Sequence, residues 1–310
     1  VGAGIAAGTL GAPAVWGQGK KTIRFLNTET SIDSIRALKV ACAEYERMTG
    51  TQVIVDSVPL DDAFTKVTTS LRGGQPYDIA TFAFVGHVLL LQAEGHLMPL
   101  TELTGKYKWG PKILFPIKGE TYWYPYDYNL AWIYYRKDLY EKKGLSVPKT
   151  WADMLKNSQA LNEDGRSGSL FPIGSNGATN WLSPGFMWAE GVKLFDDKWN
   201  VAIDNAANAP KVAAYLDFFA DLYKTMPSGT SQASFGEVLS NFSSDKVGHT
   251  AYAGRIIEAL ERTSPALATK YGITPYMDSA GKAKAVNHGY DGWVVLKTPN
   301  SNESMKFMKW

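Results

Sequence analysis

The stretch that decides the fold runs from Lys118 to Leu161, KGETYWYPYDYNLAWIYYRKDLYEKKGLSVPKTWADMLKNSQAL. Tyr122 to Tyr135 is aromatic and strand-like, but Pro125 lies inside it. Proline cannot donate to a sheet ladder, so this run is not one uninterrupted central strand. A short helix follows, for which the spacing predicts Asp138 as N-cap, Glu141 as its capping-box partner and Gly144 at C′. Pro148-Lys149-Thr150-Trp151 then opens a second helix. Thr150 caps it, Asp153 sits in its first turn, and Trp151, Met154 and Leu155 begin an apolar face.

On the N-terminal side, Thr22 to Asn27 reads as a strand. Ile35, Leu38, Cys42 and Tyr45 fall on one helical face that stops at Gly50, and Gln52 to Val58 is the next strand. Such a βαβ unit builds a parallel sheet. A helix with Phe64, Val67, Thr68 and Leu71 in register, a strand from Asp78 to Phe82 and a helix from Gly86 to Glu94 continue the alternation, which argues for an α/β fold. Beyond Leu161, a short strand is predicted at Leu170 to Ile173 and helices at 181–189, 211–223 and 235–242. Strands follow near 247–253, 273–276 and 292–296, and a helix opens at Ser301.

A chain of 310 residues exceeds one ordinary domain, so two lobes are the default. Lys plus Arg (32) nearly balances Asp plus Glu (30), and no basic stripe stands out, which argues against nucleic acid and anionic membrane surfaces as partners. Aromatics reach 13 %, and those in predicted loops need a ligand or partner to cover them. The single cysteine, Cys42, reads as a buried structural thiol, and neither a disulfide framework nor a metal-binding cluster is spelled out. Residues 1–20 are Gly/Ala-rich and apolar, ending in small residues. They read as the remnant of an export signal, with cleavage after Ala14 or Gly17 and a twin-arginine character.

The order of these signals resembles the family 1 extracellular solute-binding proteins, the ligand-capturing components of ABC importers. The resemblance rests on the 118–161 stretch, on IRFLNTE (23–29), YDIATFAF (77–84) and EGHLMPL (94–100), and on FSSDKVGHTAYAG (242–254) and GYDGWVVL (289–296). It implies a type II periplasmic binding-protein fold with two hinge-linked lobes, each with a mixed central sheet: 21–125 plus 252–310 as lobe 1 and 126–251 as lobe 2. The chain would cross between lobes near 125–128 and again near 251–254. The family's last helices would follow Trp310, so the C-terminus looks truncated. The resemblance also implies a periplasmic monomer that passes its solute to membrane permease subunits.

In open α/β sheets ligands bind beyond the carboxyl ends of strands. That rule selects Asn27, Glu29, Phe82, Phe84, Asp127, Asn129, Tyr252, Arg255, Tyr290, Asp291 and Trp293. The set mixes aromatic faces with carboxylates, amides and a guanidinium, which suits a sugar or polyol: C–H faces stack on rings while hydroxyls need planar donors and acceptors. The resemblance adds Trp181 and places Glu29, Phe82, Asn129 and Trp181 where maltose-type members hold their ligands. Asn129 replaces a carboxylate there, and an aromatic near Ile256 is missing, which shifts the expected solute. Blander readings stand beside these: Glu29 as a helix cap, Asp127 as a solvated acid, Arg255 as an interlobe ion pair, Trp293 as core. No catalytic motif is present. Asp61-Asp62 and Asp196-Asp197 are adjacent in sequence and so do not face each other across a sugar as a glycosidase pair must. A polyamine or phosphate-ester receptor remains the alternative within the binding class. No cofactor and no metal are expected.

Overall fold

The computed structural model describes residues 21–163 and 165–310; the predicted export signal lies outside them. Periodicity becomes structure most directly at the start. β1 (Thr22–Asn27), α1 (Ile32–Thr49) and β2 (Gln52–Ser57) form the expected βαβ unit, with Cys42 and Tyr45 buried beneath the helix and Gly50 closing it in the left-handed region. α2 (Ala63–Arg72) leads to β3 (Ile79–Phe82), followed by α3 (Val85–Ala93) and the single turn of α4 (Thr101–Thr104). Then come β4 (Tyr124–Pro125), β5 (Asn129–Arg136), α5 (Lys137–Lys143) and α6 (Trp151–Leu161). α7 (Gly177–Leu182), α8 (Gly185–Ala189), α9 (Ala209–Tyr223) and α10 (Phe235–Ser243) precede β6 (His249–Tyr252). The chain continues through α11 (Arg255–Thr263), β7 (Tyr271–Thr274), β8 (Tyr276–Met277) and β9 (Lys284–Ala285). It ends with β10 (Asn287–Gly289), β11 (Gly292–Val295) and α12 (Ser301–Lys309).

Two large sheets organise these elements, with β8 and β9 forming a separate antiparallel pair. The first has the order β2-β1-β3-β11-β4, with β1, β2 and β3 parallel and β11 antiparallel to both β3 and β4. The second is built around β5, which pairs antiparallel with β6 on one edge and with β10 and β7 on the other. Each sheet has its own apolar cores. Leu26, Val67, Phe82, Leu91 and Val294 belong to the first, and Tyr134, Phe171, Phe186, Phe242 and Tyr276 to the second.

Several expectations are corrected here. The return to the first lobe at residue 252 does not occur. Tyr252, Ile256, Leu260 and Tyr276 join the second core, and β7 and β10 hydrogen-bond to β5. An eight-residue β5 is long enough to seat two short strands end to end along one edge, which keeps the chain in the second sheet until Gly289. The predicted helix at 181–189 is two helices, because Ser183-Pro184 interrupts it and proline offers no N–H to continue the ladder. Leu170 makes only an isolated bridge to Thr250, not a strand. α5 begins one residue before Asp138, whose carboxylate is engaged by the Arg136 guanidinium at 2.8 and 2.9 Å and is no longer free to cap. The Thr150–Asp153 capping box of α6 forms as expected.

Phe82, expected as a ring in the cleft, is only 1 % exposed and packs edge-on against Phe64 and His87. Its strand is covered on both sides, so the ring completes the first core. Phe82→Ala is therefore expected to lower stability by about 3–5 kcal/mol. Denaturant unfolding without solute checks this; an unchanged midpoint would return Phe82 to the cleft.

Candidate functional site

The register alone brings four segments to one place. β1 lies between β2 and β3 with all three parallel, so the loops leaving β1 and β3 diverge at a topological switch point. Glu29 is in the first loop and Phe84 in the second. Gly292 opens β11 opposite both Phe82 and Pro125, so Asp291 and Tyr126 leave the sheet at that same end. Beyond it, Asn129 pairs with Gly289 at the start of the second sheet. Residues 126–128 and 290–291 are thus two antiparallel connections running side by side from one sheet to the other. The expected second crossing at 251–254 is replaced by this one, since residues 251 and 252 pair with β5 inside the second sheet.

The two connections are tied directly. Tyr126 N–H donates to the Asp291 carbonyl at 3.0 Å, and Asp291 N–H donates to Asp127 Oδ1 at 2.6 Å. The other oxygen of Asp127 accepts from Asn129 Nδ2 at 2.7 Å. The first lobe enters through Glu29, whose Oε1 accepts from the Tyr126 hydroxyl at 2.9 Å. Asn27 sets the loop that carries Glu29: its Nδ2 donates to the Glu29 carbonyl and its Oδ1 accepts the Glu29 N–H, each at 3.2 Å. Carboxylate oxygens of Glu29, Asp127 and Asp291 consequently lie within 4.8 Å of one another. Aromatic rings support them. Tyr126 stacks on Trp293 at 4.7 Å, and Trp293 stands edge-on to Phe25 at 5.6 Å. Trp123 leans on Tyr290 at 4.9 Å and fills the space above Gly292, where a Cβ would lie 2.1 Å from the indole Nε1. Trp181 borders Gly289, and its buried indole N–H has no partner among the described residues.

Three acids this close, partly withdrawn from water, do not all ionise near neutrality. Burial, then the charges of Asp127 and Glu29, push the Asp291 carboxyl up to about 7. Asp127 is raised by burial, against the hydrogen bonds it accepts from Asp291 N–H and Asn129. The Tyr126 phenol is raised by burial and by the three surrounding carboxylates, so it remains a hydrogen-bond donor. The Asp291 carboxyl therefore gives up its proton near neutral pH, and the cluster offers acceptor oxygens together with the Asn129 amide.

Of the residues expected at a site, Glu29, Asp127, Asn129, Tyr290 and Asp291 meet at the crossing, with Trp181 bordering it. Phe84 sits across from Gly177 of α7. Arg255 donates to the Thr30 hydroxyl, next to Glu29 but as a link between α11 and the β1–α1 loop. Others do not reach the site with a free group. Asn27 is 1 % exposed and spends its amide on the loop and on Ser57. Tyr252 is 4 % exposed, with its hydroxyl on the Phe235 carbonyl, because β6 carries it into the second core. Trp293 packs in the first sheet between Phe25 and Tyr126. Tyr126 itself was missed; it lies between Pro125 and Asp127 in the stretch read first, and only pairing with Asp291 turns its hydroxyl toward Glu29.

The proton on Asp291 has a consequence for stability. An acid held at about 7 when folded, against an ordinary 3.8, binds its proton more tightly in the folded state. Its contribution is complete below the unfolded value and is lost as pH rises from about 4 to 7, by up to about 4 kcal/mol. Asn at this position cannot ionise. Asp291→Asn is expected to be near neutral at pH 4 and increasingly stabilising relative to the unsubstituted chain up to pH 8. Paired denaturation curves across that range test it, and a pH-independent difference would refute it.

Comparison with known proteins agrees with this architecture. The osmoprotective compounds-binding protein GgtB of Synechocystis sp. is 28 % identical over 200 residues, covering 60 % of this chain and 46 % of that protein. The mannitol-binding protein of Pseudomonas aeruginosa is 26 % identical over 228 residues, covering 68 % and 50 %. The chain spans about half the length of these relatives. Among solved structures, an ABC transporter solute-binding protein of Thermotoga lettingae bound to α-D-tagatose superposes with a TM-score of 0.79 at 21 % identity, covering 93 % of this chain and 76 % of that one. One from Agrobacterium vitis with bound D-mannitol gives 0.71 at 21 %, covering 94 % and 72 %. At this identity the likeness fixes the fold, that of the two-lobed binding proteins. A family model described as bacterial extracellular solute-binding protein matches residues 30–310, and the chain belongs to that family.

Proposed function

We propose that the chain captures a neutral sugar or polyol between two lobes and presents it to the permease subunits of an ABC importer. Lobe 1 comprises 21–125 and 292–310, lobe 2 comprises 129–289, and the paired connections 126–128 and 290–291 are the hinge. The observation that carries this reading is the trio Glu29, Asp127 and Asp291 at the crossing, beyond the carboxyl ends of β1 and β3. A polyol hydroxyl donates to such oxygens and accepts from the Asn129 amide or the Trp181 indole N–H. A solute touching both lobes and the hinge favours the closed form by its difference in affinity for the two states. The protein acts without chemistry on its solute. It works as a periplasmic monomer whose closed shape the permease recognises, and residues 1–20 serve its export.

The carboxylates also favour a second reading, a cationic amine solute, because three acids can neutralise an ammonium group. Calorimetric titration separates the two. D-mannitol, ribitol or maltose is expected to bind with a Kd of about 1 μM or tighter, near −8 kcal/mol. Binding should tighten as pH rises through 7, since an ionised Asp291 is the better acceptor, and should release protons to the buffer. Binding of putrescine or inorganic phosphate alone, with all three polyhydroxy probes silent, would overturn the sugar reading.

A further inference from the structure

Away from the hinge, the two lobes meet at a residue with no side chain. Gly177, the first residue of α7, donates its N–H to Asp61 Oδ1 at 3.0 Å. A Cβ on Gly177 would lie 2.7 Å from that oxygen and 2.8 Å from Phe84 Cζ, whereas favourable contacts between carbons sit at about 3.5–4.0 Å. Asp61 lies between β2 and α2, and Phe84 between β3 and α3, so both are first-lobe loops at the carboxyl ends of their strands. The Phe84 ring is backed edge-on by His87 at 5.5 Å, and His87 stacks on Phe64 at 4.4 Å, which limits retreat into the first lobe. On the other side α7 is anchored. Asn176 Oδ1 accepts the Thr179 N–H and its Nδ2 donates to the Ala233 carbonyl, both at 3.0 Å. One turn on, Trp181 borders Gly289 at the hinge. α7 is therefore a strut from the hinge to the first-lobe loops, ending in bare backbone.

We infer that Gly177 is the closure stop: its missing side chain sets how near the lobes approach and hence the room left for a solute, with Asp61 supplying the hydrogen bond made at contact. Gly177 is thus a positioning residue for solute capture, and the inference rests on that reading. A methyl group here makes the Asp61 carboxylate and the Phe84 ring give way, and because His87 backs that ring the surfaces part, more so for a larger side chain. The residue would also bias selectivity, since a wider gap suits a bulkier solute.

The test is the interlobe distance, measured by electron–electron double resonance between nitroxides at Lys66→Cys on α2 and Asp217→Cys on α9. Both positions are exposed, while Cys42 is buried and stays unlabelled. Gly177→Ala and Gly177→Leu should lengthen the distance stepwise, and adding Phe84→Ala to Gly177→Leu should shorten it again. Asp61→Ala should broaden the distribution with an unchanged melting temperature, and this variant carries the test if the leucine chain does not fold. Distances unaltered by Ala, Leu and Asp61→Ala in folded protein would overturn the inference. If D-mannitol, ribitol and maltose all leave the unsubstituted chain's distance unchanged, the capture reading fails, while the substitution series still reports on Gly177.

Discussion

The structure depends on the pairing of Tyr126-Asp127 with Asp291. Two hydrogen bonds, Tyr126 N–H to the Asp291 carbonyl and Asp291 N–H to Asp127 Oδ1, join the only two connections seen between the two large sheets among the described residues. Each connection runs straight from a strand of one sheet into a strand of the other, β4 into β5 and β10 into β11. Neither has slack. Tyr290-Asp291 is two residues long, so Asp291 cannot swing into water without breaking register on both sides. Its partial withdrawal from water is imposed by topology.

That constraint explains the electrostatics. Burying like charges together is unfavourable, and the cost appears as a proton held on Asp291 near neutral pH. Two of the acids, Asp127 and Asp291, lie on the paired connections, and the third, Glu29, reaches them from the β1–α1 loop. The rest of the interface has a different character. Ser31 and Asp33 of the first lobe meet Glu258 and Arg262 of α11 in partly exposed polar contacts, which are individually weak and easily exchanged for water. These side contacts flank the paired connections and belong to neither core.

The candidate site was legible in the sequence to the extent that it follows strand ends. Glu29, Asp127, Asn129 and Asp291 are polar residues just beyond apolar strand patterns, and the carboxyl-end rule needs nothing more. Phe82 and Tyr252 satisfied the same rule and proved to be core, because a ring at a strand end faces the core or the cleft according to what covers it. Phe64 and His87 cover the first and the second-lobe helices the other. Tyr126 and Gly177 went unnoticed for the opposite reason. Their contacts are with distant partners, Glu29 and Asp61, at 97 and 116 residues' separation, and no local pattern announces such a meeting.

The sequence by itself determined the βαβ start, most of the helices and their caps, and the interruption of the aromatic run at Pro125. Periodicity, capping and proline's missing donor are local physics, settled within a few residues. It also carried, through the order of its motifs, the two-lobed fold. Only the tertiary structure decided that the second crossing is at Tyr290-Asp291 and not near Ala251. A short strand such as β7 or β10 can add to either sheet, and the choice fell to the free edge of β5. It alone brought three carboxylates within 4.8 Å and set a bare glycine against the opposite lobe, since both depend on distances between segments that sequence leaves unmeasured.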